Sequence, residues 1–150
     1  MFETRVQAAP FDLAAEHARL AALAPDVGAI VSFTGLVRDG ALELEHYPAM
    51  AARQMETVMA EAQARWPLLG AIAVHRFGRL EAGEPIVLVL AASAHRAPAF
   101  EAASFLMDWL KTRAPFWKSE EFPDGRTRWV EAKAEDDAMA ERWSRPDPRP

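Results

Sequence analysis

Two short stretches of this 150-residue sequence gather cationic side chains where an anion could be held. The tetrapeptide Ser93-Ala94-His95-Arg96 follows the apolar run "VLVLAA" and precedes Pro98 and a helix-like segment. An imidazole and a guanidinium at a helix start can hold an anion. The first N–H groups of a helix have no internal partner and carry the positive end of its dipole. Arg96 offers a planar fork for phosphate or carboxylate, His95 a donor when protonated, and Ser93 a small hydroxyl beside them. The plainer alternative is an Arg96 paired with a helix carboxylate and a His95 capping a carbonyl.

A second cluster lies in "LKTRAPFWKSE", residues 110–120. Only Lys111, Lys118 and Lys133 are lysines among 17 basic residues, so the chain answers most needs for charge with Arg. Lysine can then be kept where a titratable amine is wanted. Phe116 and Trp117 would lower the dielectric around Lys118 and make a neutral amine accessible. Against this stand a loose Asp108–Lys111 pair and an ordinary edge-strand lysine at 118. Arg38 ends the run "GAIVSFTGLV", with Asp39 beside it as a ready counter-charge. His46 and Tyr47 read as structural.

The totals narrow the chemistry. With no cysteine there is no thiolate nucleophile and no thiolate metal site. His17, His46, His75 and His95 show no metal-ligand spacing, so no metal is expected. A net charge of −5 argues against a nucleic-acid binder. The N-terminal residues lack a signal peptide's pattern and no run is long enough to span a membrane, so a cytoplasmic protein is expected.

These residues are presented by alternating elements. "FETRVQ" (2–7) reads as a strand, and Pro10-Phe11-Asp12 opens a helix with the stripe Leu13, Leu20 and Leu23. A buried strand over 28–37, a turn at Arg38-Asp39-Gly40 and a strand over 42–47 follow. Pro48 begins a long helix closed by Pro67. Strands over 71–77 and 85–92 precede a helix from Ala97 to about Arg113, with Ala99, Ala103, Leu106 and Leu110 inward and Glu101, Ser104, Asp108 and Lys111 outward. "FWKSEEF", Pro123-Asp124-Gly125 and "RTRWVEA" form a hairpin, and a short helix is expected over 135–143. The pattern predicts one α+β domain over 1–143, helices covering a mostly antiparallel sheet, with a Pro-rich tail over 144–150.

Helix geometry adds a constraint. Lys111 lies about 14 residues into a helix that starts beside Arg96, or roughly 21 Å along its axis. A shared ligand therefore requires a second copy, with His95 and Arg96 of one chain meeting Lys111 and Lys118 of the other, as a two-fold homodimer allows.

Taken in order, "GAIVSFTGLVRD", "LELEHYPAMA", "HRFGRLEAGE", "SAHRAPAFEA" and "LKTRAPFWKSE…G…RWVEA" resemble the large, catalytic subunit of molybdopterin synthase over residues 25–133. The resemblance implies an α/β hammerhead-type fold with an added β-hairpin subdomain, and a homodimer. It also implies a small ubiquitin-like partner at each end, giving a heterotetramer. The substrate would be cyclic pyranopterin monophosphate. The partner's Gly-Gly C-terminus, as a thiocarboxylate, would supply two sulfurs, so no cofactor is implied. Lys111 and Lys118 match the catalytic lysines of the family. Arg38, His95 and Arg96 match substrate-contacting positions, Ser119 and Glu120 fall where the family lines its pocket, and Lys133 falls where relatives often carry a basic residue. Two features depart from the pattern: a short connection after Arg38, and Leu36 where some relatives have Lys. The competing class is a non-enzymatic, dimeric anion- or nucleotide-binding regulator.

Overall fold

The computed structural model describes residues 1–38, 41–46, 48–112, 116–121, 127–130 and 141–144, with backbone alone at 42–46, 48, 116–121, 127–130 and 144. Its strands are β1 (Phe2–Gln7), β2 (Ala29–Leu36), β3 (Ala41–His46), β4 (Leu68–Arg76), β5 (Gly78–Leu80), β6 (Pro85–Ser93), β7 (Phe116–Glu121) and β8 (Thr127–Val130). The helices are α1 (Leu13–Ala21), α2 (Pro48–Arg65) and α3 (Arg96–Thr112), and a 3-10 turn spans Arg142–Ser144. The α+β class read from the sequence is the one observed.

Continuous apolar sequence makes a strand that is buried on both faces, and β4 and β6 hold the centre of a sheet ordered β1-β4-β6-β2. Leu88, Leu90, Ile72 and Val74 point to one face, covered by α1 through Leu20. Val87, Val89, Ala91, Ala71 and Ala73 point to the other, packed on Met55, Val58, Met59 and Ala62 of α2 and Ala102, Ala103, Leu106 and Leu110 of α3. The inward stripe expected on α3 is buried throughout.

The pairing is mostly antiparallel, as the sequence predicts, with β1 joining β4 in parallel. A second sheet, ordered β5-β3-β7-β8, stands apart and contains the β7–β8 hairpin. Gly78, with φ near +91°, is where the chain leaves β4 for β5, a backbone angle that glycine adopts without strain. Leu13, expected in the α1 core stripe, is 39% exposed. It borders a shallow depression with Phe11, His17 and Ser32. β2 is the sheet's edge, and among the described residues no strand lies beyond it.

The helix expected over 135–143 is seen only where its end meets the turn at Arg142–Ser144, and the rest of it lies outside the described residues. So do Asp39, Gly40, Tyr47, the turn at 123–125, Lys133 and the tail beyond Ser144. Among the described residues no helix is long and apolar enough to cross a membrane.

Candidate active site

The loop that carries His95 and Arg96 is held from behind. Ser93 is buried, and its hydroxyl donates to the carbonyl of Pro67 at 2.8 Å. That hydroxyl is a structural tie, and the expectation of Ser93 as a donor to a ligand is corrected accordingly. The Gly28 N–H donates to the Ser93 carbonyl at 3.0 Å. A Cβ at Gly28 would lie 2.2 Å from the Ala94 carbonyl oxygen, so only glycine lets the loop approach β2 this closely. Beyond these anchors Ala94, His95, Arg96 and Ala97 are exposed, and Pro98 occupies the first turn of α3.

Arg38 is held in a comparable way. Val37 is buried; its N–H donates to the Glu84 carbonyl at 2.9 Å and its carbonyl accepts from Gly83 N–H at 2.8 Å. Buried Arg76 braces this turn, donating to the carbonyls of Ala8 and Pro85. Arg38 itself projects from the braced rim and is exposed.

Of the nine arginines whose side chains are described, seven make hydrogen bonds or ion pairs: Arg5, Arg19, Arg53, Arg65, Arg76, Arg79 and Arg142. Arg38 and Arg96 make none to another described residue, and neither do His95 and Lys111. For His95, Arg96 and Lys111 the plain alternatives are therefore absent among the described residues, and Asp39, the counter-charge weighed for Arg38, lies outside them. Asp108, the proposed partner of Lys111, instead accepts from the indole of Trp143 at 2.6 Å and from Arg142 at 3.1 Å. Among the described residues, Arg38, His95, Arg96 and Lys111 are cations singled out by sequence that stand unpartnered.

Topology sorts them into two groups. In the antiparallel β2–β6 ladder Ala29 faces Ser93 and Leu36 faces Pro85. Seven residues at about 3.3 Å each place Arg38 on the order of 23 Å from the His95 loop. The two-residue link Ala94-His95 turns the chain back, so α3 returns over β6 and β2. Lys111, in its last turn, is carried roughly 22 Å from Arg96 toward the Arg38 end of the sheet. On β7, the Lys118 backbone pairs with Leu44, Ser119 with Glu43 and Glu120 with Leu42, in the sheet entered just after Arg38. The side chains of Lys118, Ser119 and Glu120 lie outside the described ones. One chain thus presents Arg38 and Lys111 at one end and His95 with Arg96 at the other. Among the described residues no three His, Asp or Glu converge as metal ligands.

A profile of the MoaE protein family matches residues 6–113, which hold four of the five sequence blocks and both free arginines. The chain belongs to the MoaE family of molybdopterin synthase catalytic subunits. It is 57% identical to the "Molybdopterin synthase catalytic subunit" of Mesorhizobium japonicum over 145 residues, covering 93% of this chain and 91% of that protein. Against the protein of the same name from Pseudomonas aeruginosa the identity is 51%, over 93% of this chain and 97% of the other. Among solved structures, the molybdopterin biosynthesis MoaE protein of Burkholderia ambifaria superposes with a TM-score of 0.84 at 47% identity, over 97% of this chain and all of that one. The Staphylococcus aureus molybdopterin synthase gives 0.73 at 31%, covering 84% and 95%. The family and fold implied by the sequence motifs are those found.

Sequence reasoning overlooks the residues that set this MoaE site from behind. Gly28 reads only as a strand marker, and Arg76 as part of a strand. The one available signal is a glycine at the start of a buried β-strand.

Proposed function

We propose that this chain is the catalytic subunit of a cytoplasmic molybdopterin synthase, a sulfurtransferase working on cyclic pyranopterin monophosphate. The observation that carries this reading is the division of unpartnered cations between the two ends of the β2–β6 ladder. Two copies related by a two-fold axis perpendicular to β2, passing beside that edge strand, would run antiparallel and bring the Arg38–Lys111 end of one against the His95–Arg96 loop of the other. Exposed Phe33 and Leu36 on β2 and Phe100 on α3, which shares a helix face with Lys111, supply apolar surface for that contact. Two equivalent pockets result.

In each, Arg38, His95 and Arg96 hold the cyclic phosphate and the pterin by charge-assisted hydrogen bonds. The C-terminal thiocarboxylate of a small ubiquitin-like partner with a Gly-Gly end delivers sulfur to a side-chain carbon of the pterin, and the phosphate oxygen departs as the ring opens. Negative charge gathers on oxygen, where fixed cations act most strongly. Lys118 moves protons, Lys111 orients the incoming carboxyl terminus, and Ser119 and Glu120 line the wall. Hydrolysis of the acyl product and a second charged tail complete the dithiolene. The reading requires no further cofactor.

The test is subunit mixing. His95→Ala and Lys111→Ala proteins, each inactive, are combined with thiocarboxylated partner and cyclic precursor. A pocket shared between copies predicts recovery toward about a quarter of wild-type activity, since random mixing makes about half the dimers mixed and each of these holds one intact pocket of two. No recovery would refute the shared pocket. Normal turnover by Lys111→Ala and by Lys118→Ala would refute the assignment of the lysines.

A further inference from the structure

The C-terminal turn does more than cover apolar surface. Trp143 packs edge-on against Trp66 and Phe105 at centroid distances of 5.5 and 5.6 Å. Its carbonyl accepts from Arg65 at 2.8 Å, which fixes the turn on α2 and α3. Its indole N–H donates to Asp108 Oδ2 at 2.6 Å. Arg142 donates to that same oxygen at 3.1 Å and to the Ser104 hydroxyl at 2.6 Å. Asp108 is 15% exposed, its carboxylate turned toward this side of α3.

Lys111 stands three residues further along the helix, close enough for an Asp108–Lys111 pair. The sequence suggests that pair, and the structure does not form it. Left free, the carboxylate would compete with any anion for the Lys111 ammonium. Bonded to the Trp143 indole and the Arg142 guanidinium, it does not.

We propose that Arg142 and Trp143 form a positioning latch: by holding the Asp108 carboxylate they keep Lys111 uncommitted, ready for the anionic C-terminus of the sulfur-donating partner. The inference rests on the role given to Lys111 above. The latch residues touch no substrate and act through Asp108.

The test uses the full chain with Trp143→Phe/Arg142→Met, which keeps a ring against Trp66 and Phe105 but removes both donors. Acetylation of Lys111 by an N-hydroxysuccinimide ester, read by peptide mass spectrometry, should slow about two- to five-fold, the scale of one exposed ion pair. KM for the thiocarboxylated partner should rise by a similar factor, with kcat little changed. Adding Asp108→Asn should restore both, because the competing charge is gone. Unchanged acetylation in the double variant, or failure of Asp108→Asn to restore it, overturns the latch. Simple loosening of the helix end would leave acetylation equal or faster and would not respond to Asn. Full turnover by Lys111→Ala would defeat the catalytic reading alone, since the acetylation ratio still decides whether the latch acts.

Discussion

Gly28→Ala perturbs the His95–Arg96 loop without touching any residue that meets substrate. The new methyl would lie 2.2 Å from the Ala94 carbonyl oxygen, whereas ordinary contact begins at 3.4 Å. The obstructing atom belongs to the backbone, so relief requires the loop to move by about 1 Å away from β2, stretching the 3.0 Å bond from Gly28 N–H to Ser93. Crowding of this kind costs about 1–3 kcal/mol. For a chain of this size that is a fall in Tm of roughly 2–12 °C. Because Ser93 stays tied to Pro67, the strain is passed forward to Ala94 and His95. Misplacing a binding group by ~1 Å can lower catalytic efficiency by as much as ~100-fold. Differential scanning calorimetry gives the first quantity, and kcat/KM for the cyclic precursor with excess thiocarboxylated partner gives the second. A Gly28→Ala protein within ~1 °C of wild type in Tm and matching it in kcat/KM would show that the loop is not held by this approach.

Two further predictions concern the scaffold. Leu106→Ala, at a fully buried position between α3 and the sheet, should cost about 2–5 kcal/mol, read as a lower urea midpoint at unchanged slope; a loss under ~1 kcal/mol would contradict the packing described. On the opposite face, the hydrogen bond from Arg19 holds the Glu3 carboxyl below its ordinary range, so this link stabilises the fold fully above the unfolded carboxylate's pKa and is lost as pH falls through the lowered value. Glu3→Gln should therefore be less stable than wild type at neutral pH and converge with it in acid, and a difference that widens in acid would reverse the sign of that argument.

Much of this protein was legible without coordinates because periodicity carries it. The continuous apolar runs of β4 and β6, the inward stripe of α3 and Pro48 at the head of α2 are local consequences of residue type. The candidate site was legible for a different reason: cations in loops and at strand ends stand out against a sparing use of lysine. Hidden were the features that depend on what a residue meets. Leu13 fits a helical stripe and is still uncovered, because β2 is the last strand. The pairing of Asp108 with Trp143 joins positions 35 residues apart, which no spacing rule anticipates.

What the sequence alone determined is the set of candidate reactive groups and the elements that carry them, since both follow from side-chain chemistry and short-range periodicity. Only the tertiary structure decided that Arg38 and His95 leave opposite ends of one ladder, that β1 lies parallel to β4, and that Asp108 is bonded to Trp143 and Arg142. Strand order, strand direction and long-range pairing are set by how faces bury one another, and that information is spread over the whole chain.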